Sequence, residues 1–349
     1  MRENMIEMMG SSHLFRNRLL DFSLYGALLL VALFYVFVSN KPCFFSPKSQ
    51  CLSNFISMEV HEEDELERAL KETATENRTV IIAVVNEAYV EGDKAMLDLF
   101  MDAFWLGEGT QGLRDHLLVV AADQTSYDRC KFLRLHCYRL ENSAGEDLAG
   151  EKLYMSAGFI DMMWRRTQFL GDVLRRGYNF IFTDTDVMWF RNPFTRFSLD
   201  ETIDMQISCD HFNGDEWSTR NPINTGLYMI RSNNKTIALF DAWYSMKANS
   251  IGLKEQDVLA KLFHNGVVGD LGVRVRFLDT CFFSGFCQNN RDIKSVVTFH
   301  ANCCRSISAK LADLTAIIHD WKRSKNLPSN QTTTFQWSNH TACIKSWKY

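Results

Sequence analysis

The run Tyr178-Asn179-Phe180-Ile181-Phe182-Thr183-Asp184-Thr185-Asp186-Val187-Met188-Trp189-Phe190 limits the folds open to this chain more than any other stretch. Its first half is apolar at consecutive positions. As a strand it needs cover on both faces, the condition of a central strand in a sheet flanked by helices. It ends in two carboxylates one residue apart, Asp184 and Asp186, and then turns apolar again. Two carboxylates at the mouth of a buried strand are costly unless a cation sits between them. In a strand continuation both would point to one side and could reach a single hard divalent ion shared with a diphosphate. The apolar residues on either side argue against an ordinary pair of solvated turn carboxylates.

The rest of the chain repeats the theme. Asp64 to Thr75 has helical spacing and an acidic start, Thr79 to Val85 is a β-branched run, and Leu97 to Leu106 reads as a helix. Leu117 to Ala122 is a second apolar run, and Met155 to Arg176 a long helical stretch before the third strand, Phe180 to Thr183. Met205 to Ser208 and Gly226 to Ile230 read as further strands, and Ile237 to Lys247 and Gln256 to His264 as helices. Apolar runs alternating with helices predict an α/β fold, a mixed, mainly parallel sheet flanked by helices. Ligands in such sheets sit beyond the carboxyl ends of strands, and Asn86, Glu87, Asp123, Asp184 and Asp186 all fall at such ends.

The N-terminus carries a different signal. Phe22 to Val38 is an uncharged, mostly apolar run at the short end of what spans a bilayer as a helix. It begins late and lacks a small-x-small cleavage site before Pro42, which favours an uncleaved anchor over a cleaved signal. Arg2, Arg16 and Arg18 precede it, giving a cytosolic tail over 1–21 and a luminal body. Residues 39–60 read as a stem, 61–328 as the catalytic domain and 329–349 as a surface tail. Ten cysteines suit a lumen where some can pair. Cys281 and Cys287 bracket a short Phe/Gly loop and are expected to pair; Cys130 and Cys137, in a helix-like segment, are expected to pair elsewhere. No Cys-x-x-Cys occurs, which argues against structural zinc. A net charge of −4 without a basic stripe gives no reason to expect nucleic acid.

Several other residues are candidates for the chemistry. Asn224-Thr225-Gly226 precedes a strand, where the glycine allows close backbone approach and the amide can bond sugar hydroxyls; an ordinary turn would look the same. Glu255, Gln256 and Asp257 open a helix, where acidic residues are favoured by the dipole, so capping explains them as well as catalysis does. His300 ends a β-like run and is a candidate because imidazole is a common metal ligand. Arg165 and Arg166 lie one helix before the Asp-x-Asp strand, from which either could reach phosphate oxygens or simply be solvated.

Taken together, ENRTVIIAVVNEAYVE, HLLVVAAD, MWRRTQFLGDVLRRGYNFIFTDTDVMWFRNPF, NTGLYMIRS, KEQDVL and FHANCC resemble the plant nucleotide-diphospho-sugar transferases of glycosyltransferase family 77. The resemblance runs from about residue 62 to 325. It implies a GT-A (Rossmann-like) fold, a type II membrane anchor, a Golgi location, and transfer of a pentose or galactose from a UDP-sugar to cell-wall glycans or glycoproteins with retention. It further implies Mn2+ (or Mg2+) and the UDP diphosphate at Asp184 and Asp186, with His300 completing the metal shell and Asn86 near the nucleotide. Asn224, Gln256 and Asp257 would line the sugar pocket. Thr185 stands where that motif more often has alanine; its side chain is expected to point away from the metal. Two other readings share some of these residues. One is a catalytically silent nucleotide-sugar-binding scaffold. The other is a haloacid dehalogenase-type phosphatase, disfavoured by Met188 two positions after the second aspartate and by the strands that come first.

Overall fold

The computed structural model describes residues 64–140, 148–326 and 335–348. The expected anchor at 22–38, its cytosolic tail and its stem lie outside these. Among the described residues no helix is long and apolar enough to cross a membrane.

Among the described residues ten strands form two sheets. The first seven in chain order are β1 (Thr79–Val85), β2 (Leu117–Ala121), β3 (His136–Arg139), β4 (Asn179–Thr183), β5 (Val187–Trp189), β6 (Met205–Cys209) and β7 (Ile223–Ile230). Then come β8 (Val275–Phe277), β9 (Phe283–Gly285) and β10 (Thr298–His300). The large sheet has the order β3-β2-β1-β4-β7-β6-β8, and only β7 runs against its neighbours. The small sheet has the order β5-β10-β9. The expected mixed, mainly parallel sheet is therefore present.

The unbroken apolar runs follow from two-sided burial. Alternate residues of β1 and β2 enter separate cores: Ile81, Ala83, Val85, Leu117 and Val119 on one face, Val80, Ile82, Leu118 and Val120 on the other. The covering helices are α1 (Glu65–Thr73), α2 (Met96–Leu106), α3 (Gln124–Phe132), α4 (Ala157–Arg175), α5 (Asn234–Ser245), α6 (Glu255–His264) and α7 (Ile307–Ser324). Asp64 caps α1 by accepting from Glu67 N at 2.8 Å, and Ser156 caps α4 by accepting from Phe159 N at 3.2 Å. Each satisfies an amide that the helix itself leaves unbonded.

The cysteines do not pair as the sequence suggests. Cys130 and Cys137 bond to each other, with Cα atoms 6.0 Å apart. They are not in one helix: α3 ends at Phe132, Arg134 turns the chain with φ 54°, and β3 brings Cys137 back. Cys287 pairs with Cys303, not Cys281, which is an exposed free thiol. The reason is register. β9 and β10 are parallel with Gly285 opposite His300, so the segments just past their ends run side by side.

The C-terminal segment also departs from expectation. Within residues 335–348, Phe335 and Cys343 are buried in the core and Trp337 packs against it. Cys343 bonds to Cys304, and buried Asp313 accepts from Cys343 N at 2.7 Å, fixing the turn of helix Thr341–Lys345.

Candidate active site

The Asp-Thr-Asp segment lies where the chain passes from the large sheet to the small one. β4 ends at Thr183, and a tight turn closed by Val187 N donating to Asp184 O leads into β5. The two aspartates converge through this turn and not through strand alternation. Two other segments are pinned against it. β10 pairs with β5 so that His300 lies opposite Val187, and Ala301 N donates to Asp186 O at 3.0 Å. From β7, Gly226 O accepts from Asp184 N at 2.7 Å. The β6–β7 register shifts between Ile207, opposite Tyr228, and Ser208, opposite Asn224, so Thr225-Gly226-Leu227 sits in a bulge. Bulges re-aim side chains, here into the cleft.

One ligand atom each from Asp184, Asp186 and His300 fit within 4.8 Å of one another. Gly226 is what lets them meet. A Cβ there would lie 2.5 Å from His300 Cε1 and 2.9 Å from both Asp184 Oδ2 and Asn224 Oδ1.

Cations balance the two carboxylates. Lys310 of α7 places Nζ 2.6 Å from Asp186 Oδ2, and His300 Nε2 lies 3.2 Å from Asp186 Oδ1. Burial pushes the Asp186 carboxyl up, but Lys310 and His300 together hold it below the usual range. Each of these carboxylate oxygens has a further lone pair beyond its one cationic partner, so both keep acceptor capacity. Burial raises the Asp184 carboxyl, only partly countered by Arg166. Burial lowers His300, but the Asp186 charge overcomes this and holds its proton more tightly than usual. Two carboxylates and an imidazole with unspent acceptor capacity fit a divalent cation, which would take the place of the His300 proton.

Buried Arg166 ties this centre to α6. It donates to Asp184 Oδ1 at 2.9 Å and to Glu255 Oε1 at 2.6 Å, over the ring of Phe182. Glu255 also accepts from Thr225 Oγ1 at 2.8 Å. The surrounding cleft, about 230 Å³, is lined by Asn86, Tyr89, Arg166, Asp184, Asp186, Asn224, Gln256, His300 and Lys310, among others. Asn86 Nδ2 donates to Leu148 O and Gly150 O, both at 2.8 Å, while its buried Oδ1 has no partner. Gln256 Oε1 accepts from Thr225 N at 3.1 Å. Asn224 donates to Asp210 Oδ1 at 2.8 Å, and Asn302 donates to the same oxygen at 2.9 Å.

Seven of the nine site residues expected from the sequence, Asn86, Arg166, Asp184, Asp186, Asn224, Gln256 and His300, thus line this cleft; Arg165 and Asp257 do not. Helix geometry explains both. Arg165 is about 100° around α4 from Arg166, against Gln168, and Asp257 is about 200° around α6 from Glu255. Asp123 at the end of β2 is spent on structure, accepting from Glu87 N at 2.7 Å and Ser126 N at 2.8 Å. Thr185 is buried and lines the cleft. Sequence reasoning missed Lys310, Tyr89 and Asn302 as site residues, and left Glu255 open between helix capping and catalysis. Asp210 follows the end of β6, where the strand-end rule would look for it. Lys310 carries no local signal, being one turn inside a helix.

Residues 112–314 match the family model described as nucleotide-diphospho-sugar transferase. The chain belongs to that family. It is a glycosyltransferase, using a nucleotide-sugar donor and a glycan acceptor. This transferase is 55% identical to the Arabidopsis thaliana protein At1g28695 over 81% of its own length and 84% of the relative's. It is 30% identical to the UDP-D-xylose:L-fucose α-1,3-D-xylosyltransferase MGP4 of the same plant, over 48% of this chain and 44% of that one. It is 26% identical to the UDP-galactose:fucoside α-3-galactosyltransferase of Dictyostelium discoideum, over 43% of this chain and 26% of that one.

Proposed function

We propose that this glycosyltransferase has a GT-A fold and moves a pentose or galactose from a UDP-sugar to a cell-wall glycan or glycoprotein, with retention of anomeric configuration. We place it in the Golgi membrane, held by the span at 22–38 with its catalytic domain in the lumen. The observation that carries the reading is the convergence of Asp184, Asp186 and His300 under Gly226, flanked by Lys310 and Arg166. Asp184, Asp186 and His300 would hold Mn2+ or Mg2+, which when bound neutralises the diphosphate and stabilises it as leaving group.

The chain's own residues supply the rest. Lys310 adds a fixed positive charge beside the diphosphate position, and Arg166 keeps Asp184 oriented. Asn86 offers its unpartnered oxygen to a donor N–H such as that of uracil. Gln256, Asn224 and Asp210 present amide and carboxylate groups to sugar hydroxyls. The names of the relatives support galactose and xylose as donor sugars and a fucose-bearing acceptor.

The full chain, purified and supplied with Mn2+, is expected to release UDP from one or two of a panel of UDP-pentoses and UDP-galactose. With methyl α-L-fucoside added, proton NMR is expected to show an α-linked product. Release from no donor with any divalent ion would instead leave a silent nucleotide-sugar-binding scaffold.

A further inference from the structure

We propose that the mouth of the cleft is a carbohydrate subsite for the acceptor glycan, built on the rings of Tyr154 and Trp347 with Arg305 and Lys254 beside them. The inference rests on the transferase reading above and adds where its second substrate binds. Among the described residues, Trp105, Phe132, Tyr154, Trp217 and Trp347 expose much of their aromatic surface, and of these only Tyr154 and Trp347 line the cleft. They are 37% and 47% exposed. Such surface in a concave site marks a place where a ligand covers it. A sugar ring can do so, because one face carries C–H bonds while its hydroxyls project sideways to polar groups.

Polar partners stand next to both rings. The Arg305 guanidinium lies 4.0 Å from the Trp347 ring centre and 5.7 Å from that of Tyr154, and Lys254 Nζ lies 5.5 Å from Tyr154. Neither cationic head makes an ion pair or hydrogen bond among the described residues, so both keep their donors for the oxygens of a ligand. The platform is held in place by covalent and polar ties. Trp347 Nε1 donates to Cys303 O at 2.7 Å, and Arg305 N donates to Ser346 Oγ at 3.0 Å. The Cys304–Cys343 disulfide fixes the segment that carries Trp347. That is a specific reason for the C-terminal residues to fold back over the domain. The donor's charged groups are matched deeper, at Asp184, Asp186, His300 and Lys310, which leaves the mouth for the other substrate.

The test uses the full chain loaded with Mn2+ and UDP. Wild type, Trp347→Ala, Tyr154→Ala and Arg305→Gln are compared by saturation-transfer NMR titration with methyl α-L-fucoside and with a trigalacturonate. Calorimetry measures UDP affinity in parallel. The neutral and acidic probes separate ring stacking from charge as the main attraction. Wild type is expected to bind at least one saccharide, and each ring substitution to weaken it about tenfold with UDP affinity unchanged. Arg305→Gln, which keeps both rings, guards against a folding defect and is expected to weaken the same saccharide less. Loss of UDP affinity with saccharide binding intact would give these rings to the donor and overturn the proposal. Failure of wild type to bind either saccharide would also overturn it. Failure of wild type to bind UDP would count against the transferase reading itself.

Discussion

Gly226→Ala is expected to lower metal-dependent UDP binding and sugar transfer by about a hundredfold, the scale on which small misplacements of catalytic groups act. The cause is steric. The new methyl would lie 2.5 Å from His300 Cε1 and 2.9 Å from Asp184 Oδ2, well inside contact distance. His300 is held by the β10–β5 pairing and Asp184 by its bond to the Gly226 carbonyl, so neither can yield without spoiling the triad. Overpacking of this kind costs roughly 1–3 kcal/mol, so the variant should fold but melt lower. Gly112→Ala is the matched control, since a Cβ there meets nothing within 4 Å. Calorimetric UDP titration of both variants checks the point. Wild-type affinity in Gly226→Ala would mean that the three ligands are not as tightly placed as described.

Arg166→Met is expected to be among the most destabilising single substitutions in the domain, by about 3–5 kcal/mol. Arg166 is buried between Asp184 and Glu255, and the Glu255 side chain is only 2% exposed. Methionine would fill much of the space but leave a buried carboxylate with no cation. One Glu255 oxygen already lacks a partner, so little hydrogen bonding remains to support the charge. Adding Glu255→Gln should recover part of the loss, because it removes the orphaned charge. Thermal melts of the two single variants and the double variant give the coupling between the residues. A melt of Arg166→Met within a degree or two of wild type would show that the network is solvated and not dry.

Five strands of the large sheet and the Asp-Thr-Asp motif were legible because their signals are local, whereas the short edge strands β3 and β8 were not. A strand covered on both faces is apolar at every position, and a polar residue at its end stands out. What escaped was set by chain crossings. Cys287 meets Cys303 because of a parallel register between two three-residue strands, which no spacing rule reveals. Lys310 reaches Asp186 from a helix more than a hundred residues away in sequence, and its spacing within α7 is that of any helical lysine. The C-terminal segment reads as polar and unpatterned, yet Cys343 and Phe335 hold it in the core. The aspartates illustrate a right expectation with the wrong cause: they converge through a turn between two sheets and not along one strand.

The central claim is that Asp184, Asp186 and His300 hold a divalent cation that makes the cleft bind a nucleoside diphosphate. Titrating UDP into wild type and Asp186→Asn, each with and without Mn2+, tests it most directly. Asparagine keeps the shape of the side chain, and melting curves show whether loss of the Lys310 ion pair has unfolded it. The account predicts that Mn2+ tightens UDP binding to wild type by about tenfold or more, and that Asp186→Asn abolishes this gain. Equal UDP affinity with and without the metal, or a gain unchanged in Asp186→Asn, would contradict it.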